Sequence, residues 1–179
     1  KDAGFPYYYH TIGSAFAVSA DAYIKVGGMG RQQGGEDFYF LQKVFSLGNI
    51  VEATQTTVCP LARLSDRIPF GTGPALQKIM DSPDKTLRVY NPEAFECLKK
   101  LFSLKTSLWK ANIEDIHSVY ELLDNSLRYF MTEDEFAEMI NDSNQNSATE
   151  ATFQKRFFSH FNAFKIIKYL NFSHEKYFS

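Results

Sequence analysis

Cysteine is scarce in this chain, with only Cys59 and Cys97 among 179 residues. Two cysteines without metal spacing exclude a zinc ribbon and a disulfide-stapled secreted scaffold. They fit a reducing compartment, most simply a cytoplasm. No signal peptide is visible, and no apolar run approaches the ~20 residues that cross a bilayer. The first residue is Lys1 rather than Met, and a longer parent protein is the expectation. An excess of either charge is also lacking: 19 Lys and Arg face 21 Asp and Glu, a formal net charge of −2. The charge balance therefore gives no reason to expect nucleic acid.

Glycine is missing from residue 75 onward; all ten glycines come earlier. That shift divides the chain into 1–74, with mixed strand and helix patterns, and 75–179, read as consecutive helices. Apolar residues make up 44% and charged residues 22%, the composition of a soluble globular protein able to bury a real core. Aromatics reach 16%, enough to fill that core and leave a few rings as platforms for a sugar or a lipid surface.

Within 1–74, residues 14–19 form a short apolar run suited to a buried strand. Ser19 is placed to cap a brief helix that Gly27-Gly28 ends. A glycine-rich turn then leads into Glu36. Phe38, Leu41, Phe45 and Phe40, Val44, Leu47 follow at helical spacings, with Gly48 as the stop. Residues 50–58, rich in threonine and weakly alternating, are predicted as one or two strands. Residues 60–74 are expected to be loop.

Within 75–179, four or five helices are predicted. Pro92 opens one that runs to about Trp109. Glu114 to Phe130 is predicted as a second helix. Thr132 and Glu135 make a capping-box signature before Phe136, and the polar stretch 141–147 ends that helix. A last long helix uses Phe153, Phe157, Phe161, Phe164, Ile167 and Leu170. Residues 111–150 are acidic and 151–179 basic. The two stretches can pack side by side, or the basic, aromatic terminal helix can rest on an anionic membrane surface.

The chemistry-bearing motif is Gly34-Gly35-Glu36-Asp37. A carboxylate in the first turn of a helix is favoured by the positive end of the helix dipole and by free backbone N–H groups. Two preceding glycines let a bulky ligand approach the backbone. An aspartate so placed suits a general base for a hydroxyl group, although acidic residues also stand at helix starts simply as caps. Arg63 and Arg67 flank Asp66, where they can grip a diphosphate bidentately or pair with that aspartate. Gly71-Thr72-Gly73 suits either a phosphate cradle or a hinge. His10 can line a pocket, contact a metal or be an ordinary surface or core residue. Tyr7-Tyr8-Tyr9 can stack on a sugar or form an edge strand. Trp109 fits the core better than a sugar platform, and His117, His160 and His174 share no ligand spacing.

Taken in order, Gly13-Ser14-Ala15-Phe16-Ala17-Val18, Gly27-Gly28-Met29, Gly35-Glu36-Asp37-Phe38, Leu47-Gly48, Arg63-Leu64-Ser65-Asp66-Arg67 and Gly71-Thr72-Gly73 resemble the C-terminal half of the catalytic domain of family 2 glycosyltransferases. The resemblance covers roughly residues 8–74. It implies an α+β, mostly helical chain, in which a partial GT-A α/β unit (1–74) precedes a helical region (75–179). It implies Asp37 as the base of an inverting transfer, with Glu36 orienting the acceptor or bracing the helix start. Gly34, Gly35, Arg63, Arg67 and His10 are then the substrate-binding candidates. The partners implied are a nucleotide-sugar donor and a carbohydrate or lipid-linked acceptor, with peripheral membrane contact and pairing of exposed strand edges between copies as further expectations.

The family's Asp-x-Asp motif, which holds Mg²⁺ or Mn²⁺ on the diphosphate, occurs nowhere in the chain. The divalent metal is therefore expected only in a full-length enzyme, and none is expected on this chain, which is expected to be inactive alone. The alternative is a non-catalytic helical interaction or adaptor module carrying a remnant of a transferase fold.

Overall fold

The computed structural model describes residues 1–9, 15–31, 34–59, 71–83 and 89–178. The chain packs as two units, Tyr9–Arg88 and a second that joins Lys1–Tyr8 to Val89–Ser179. Glycine usage changes near residue 74, whereas the packing units change at Val89, and the first eight residues belong with the later helices.

In the first unit, α1 (Ala20–Lys25) starts at Ser19, whose side chain accepts from the Ala22 N–H. Next come α2 (Glu36–Phe45) and α3 (Thr72–Asp81), both entered through glycine and both without a side-chain cap. The second unit holds α4 (Pro92–Ser103), a 3₁₀ turn over Leu104–Leu108, α5 (Ile113–Glu121), α6 (Asn125–Phe130), α7 (Glu133–Gln145), α8 (Glu150–His160) and α9 (Ala163–Lys176). Each of its α-helices begins at an Asn, Asp or Thr that bonds first-turn amides, and α5, α7 and α8 carry full capping boxes.

The α+β expectation, with its partial GT-A α/β unit, is corrected. Among the described residues every regular element is a helix, and neither 15–19 nor 50–59 forms a strand. Residues 15–19 offer one short apolar run, and a lone segment has no ladder partner to satisfy its backbone groups. Residues 51–59 are exposed throughout, with a turn at 54–55 in which Thr56 N–H donates to Ala53 at 3.2 Å.

The helical unit closes around aromatic side chains. Phe102, Phe136, Phe153, Phe157, Phe161 and Tyr169 are almost wholly buried. Phe102 meets Phe158 at 5.2 Å and Phe161 at 5.6 Å in edge-to-face contacts, and Phe5 joins the cluster from the N-terminal segment. Each such ring contributes about 1.5–3 kcal/mol of burial. Trp109 flanks this core, 5.5 Å from Phe153.

The charged stretches meet within the unit. His160 and Arg156 of α8 both reach Asp142 of α7, at 2.6 and 3.9 Å. The apolar side of α9 enters the core through Tyr169, Leu170 and Ser173. Among the described residues no helix is long and apolar enough to cross a membrane.

Candidate functional site

The helix α2 begins where glycine lets the chain turn. Gly35 stands at φ 75° and ψ 5°, a left-handed conformation that costs an L-residue about 1–2 kcal/mol. Having no side chain, it leaves the first-turn amides to other acceptors. Asp37 takes one of them, its Oδ1 accepting from the Phe38 N–H at 2.7 Å. Glu36 and Asp37 are the first two helical residues, so both carboxylates lie at the positive end of the helix dipole. Gly34, Gly35, Glu36 and Asp37 are each partly buried, and Asp37 enters no ion pair among the described residues.

The opposite side of α2 fixes where that corner lies. Phe40, Leu41, Val44 and Phe45 are buried. The Phe40 ring meets Tyr23 of α1 at 5.4 Å and Phe16 at 6.0 Å, while Phe45 meets Tyr9 at 5.0 Å. Gly28 is required beneath Tyr23: it has φ 74°, and a Cβ there would come within 3.1 Å of the ring. Glycine therefore acts twice, once to seat the ring that holds α2 and once to turn the chain into its first residue.

Of the sequence-predicted site residues, Gly34, Gly35, Glu36 and Asp37 are brought together in this turn. His10, Arg63 and Arg67, with Asp66, lie outside the described residues. Gly71-Thr72-Gly73 opens α3, where a loop is expected from sequence; Gly71 adopts φ 90° and Pro74 falls in the first turn. Proline early in a helix was the available signal.

The helical unit holds polar clusters of its own. Asp124 Oδ1 accepts from the Ser126 hydroxyl at 2.6 Å and its N–H at 2.8 Å, and Ser126 Oγ lies 2.8 Å from the Tyr169 hydroxyl. Ser126 and Tyr169 are fully buried. Burial pushes the Tyr169 hydroxyl and the Cys97 thiol up. Burial works to raise Asp124 too, but the Ser126 and Cys97 hydrogen bonds outweigh it and bring that carboxyl below its usual value. These groups tie α4, α6 and α9 together away from solvent, and the sequence reading, which ran one helix through Asp124, signalled none of them.

Two histidines act as links. His117 Nδ1 of α5 bonds to Glu133 Oε1 of α7, and that hydrogen bond raises His117 above its usual value. The His160 hydrogen bond lowers Asp142 below the usual carboxylate value. A shallow groove of about 240 Å³ lies beside Tyr120, Asn125, Arg128 and Tyr129, with Arg128 paired to Glu121 at 2.7 Å.

Among the described residues no three His, Cys, Asp or Glu side chains converge as metal ligands. Set against protein-family models, curated proteins and solved structures, the chain matches none. The resemblance over residues 8–74 rests on the quoted motifs alone.

Proposed function

We propose that the Gly34-Gly35-Glu36-Asp37 turn is the acceptor-side corner of an inverting sugar-transfer site, with Asp37 as its base. The supporting observation is that Asp37 sits in the first turn of α2, partly buried and without an ion pair among the described residues, behind a glycine that opens the backbone. In this role Asp37 takes the proton of an acceptor hydroxyl as its oxygen bonds to the anomeric carbon. The bond from that carbon to the nucleoside diphosphate breaks, and the leaving group departs with the electron pair. Glu36, one residue earlier, orients the acceptor or braces the helix start. The donor-binding groups must come from outside the described residues.

The test is Asp37→Asn in the parent protein, assayed with nucleotide-sugars for transfer and, separately, for donor binding. Transfer is expected to fall by about 10²–10⁴-fold with donor affinity unchanged. Full turnover by the variant would remove Asp37 from the role.

A second reading, a helical interaction module, is favoured by the complete core of the later unit and by Ile113, Leu122 and Tyr129, which stay more than half exposed. It predicts that Asp37→Asn changes nothing, while charged replacements at those three positions abolish capture of a partner.

A further inference from the structure

We infer that residues 51–59 are a strand in waiting, which pairs antiparallel with the same segment of a second copy of this chain. The segment reads Val-Glu-Ala-Thr-Gln-Thr-Thr-Val-Cys. Val51, Thr54, Thr56, Thr57 and Val58 are β-branched, stiff side chains that favour extended backbone over helix. All nine residues are exposed, Val51 and Val58 at 88% and 63%, and none belongs to a strand or a helix. Its backbone polar groups make only turn bonds among the described residues, Thr54 N–H to Glu52 at 3.1 Å and Thr56 N–H to Ala53 at 3.2 Å. The devices that normally blunt such an edge are missing within it: there is no lysine, no proline, no glycine and a single charge.

That single charge also admits a second copy as the occupant. Centred on Gln55, an antiparallel pair sets Val51 opposite Cys59 of the second copy, Ala53 opposite Thr57, and Glu52 opposite Val58. No like charges meet, Thr54 faces Thr56, and Gln55 faces its own copy across the two-fold axis. In a parallel in-register pair the two Glu52 carboxylates would stand side by side. A closed two-fold contact therefore suits the sequence better than an open stack. Two exposed turn bonds are given up for the hydrogen bonds of a two-stranded ladder between the copies. Pro60, which lacks an N–H, ends the run.

The full chain in sedimentation velocity, over a wide concentration range, is expected to show a reversible monomer–dimer equilibrium. Thr54→Pro and Thr56→Pro, in separate variants whose helical circular dichroism matches the parent, are expected to weaken it at least ~10-fold by removing a ladder donor. In a Cys59→Ser background, Gln55→Cys is expected to give a disulfide-linked dimer under mild oxidation, while Gln154→Cys on α8 stays monomeric. A chain that is monomeric at every concentration overturns the inference, as does a dimer indifferent to both prolines. Equal cross-linking at Glu52→Cys and Gln55→Cys would indicate parallel pairing and overturn it too. Recovery of the chain only with a different protein bound at 51–59 would replace the second copy as occupant.

Discussion

Two helices of the Tyr9–Arg88 unit, α2 and α3, are entered by different chemistry from the helices of the other unit, whereas α1 shares the side-chain cap through Ser19. In the helical unit each α-helix starts at an Asn, Asp or Thr whose oxygen takes first-turn amides, and the following turns lead into a core built from Phe102, Phe157, Phe161 and Tyr169. In the unit spanning Tyr9–Arg88, α2 and α3 start at Gly35 and Gly71 with no side chain to cap them. The first arrangement specifies a helix locally and then buries it. The second provides no side-chain acceptor at the cap, and at α2 it places the Glu36 and Asp37 carboxylates in the first turn.

The sharpest way to break this contrast is to remove a ring from the core. Phe102→Ala deletes a side chain packed on Phe5, Phe157, Phe158 and Phe161. It is expected to cost about 3–5 kcal/mol in a urea titration followed by helical circular dichroism. A smaller loss is expected from Gly35→Ala, about 1–2 kcal/mol, because alanine must adopt the left-handed conformation. Amide exchange in the α2 first turn should accelerate if that glycine is required, and an unchanged rate would show that the turn relaxes freely. Asn112→Ala, which removes one capping box, should cost about 1 kcal/mol in the helical unit.

The smallest effect concerns pH. Glu133 raises His117, and Glu121 favours the charged form while Arg128 opposes it. The His117 contribution is therefore fully present below the unfolded value near 6.5 and is lost as pH rises through the higher folded value. Asp142, lowered by His160, runs the other way. Its contribution is present above about 3.8 and is lost as pH falls through the depressed folded value. His117→Asn should flatten the stability profile on its alkaline side alone, as followed by thermal unfolding at stepped pH.

Much of the helical unit was legible because capping chemistry is local. Thr132 and Glu135 mark the start of α7, and Pro92 the first turn of α4, as pattern predicts. Helix ends were harder. The phenylalanine spacing runs unbroken from Phe153 to Phe164, yet Asn162 caps a new helix, so one predicted helix is α8 and α9. Likewise Asp124 divides the predicted helix 114–130 into α5 and α6. In both cases a buried apolar face continues across the bend, and periodicity registers the face rather than the backbone. The polar stretch 141–147, expected to break α7, instead carries it to Gln145: Ser143 Oγ donates back to the Met139 carbonyl at 2.7 Å, Asn144 bonds to Leu108 and Lys110, and Asp142 meets His160.

In the other unit, strand propensity at 50–58 misled, since a strand exists only with a neighbour to pair with. At the site, the Gly34-Gly35-Glu36-Asp37 helix start was legible from glycine and acid alone. The aromatic seat of Tyr23, Phe16 and Tyr9 was not, because it depends on contacts between segments distant in sequence.

Trp109, flanking Phe153 in the helical unit, is the chain's single tryptophan. Its emission consequently speaks for that unit alone. The segment holding Asp37 is optically silent at indole wavelengths and has only tyrosines to report its folding. A sharp, cooperative fluorescence transition would certify the bundle and say nothing about the turn where the chemistry is proposed. Any screen for ligands of that turn needs a probe placed in it.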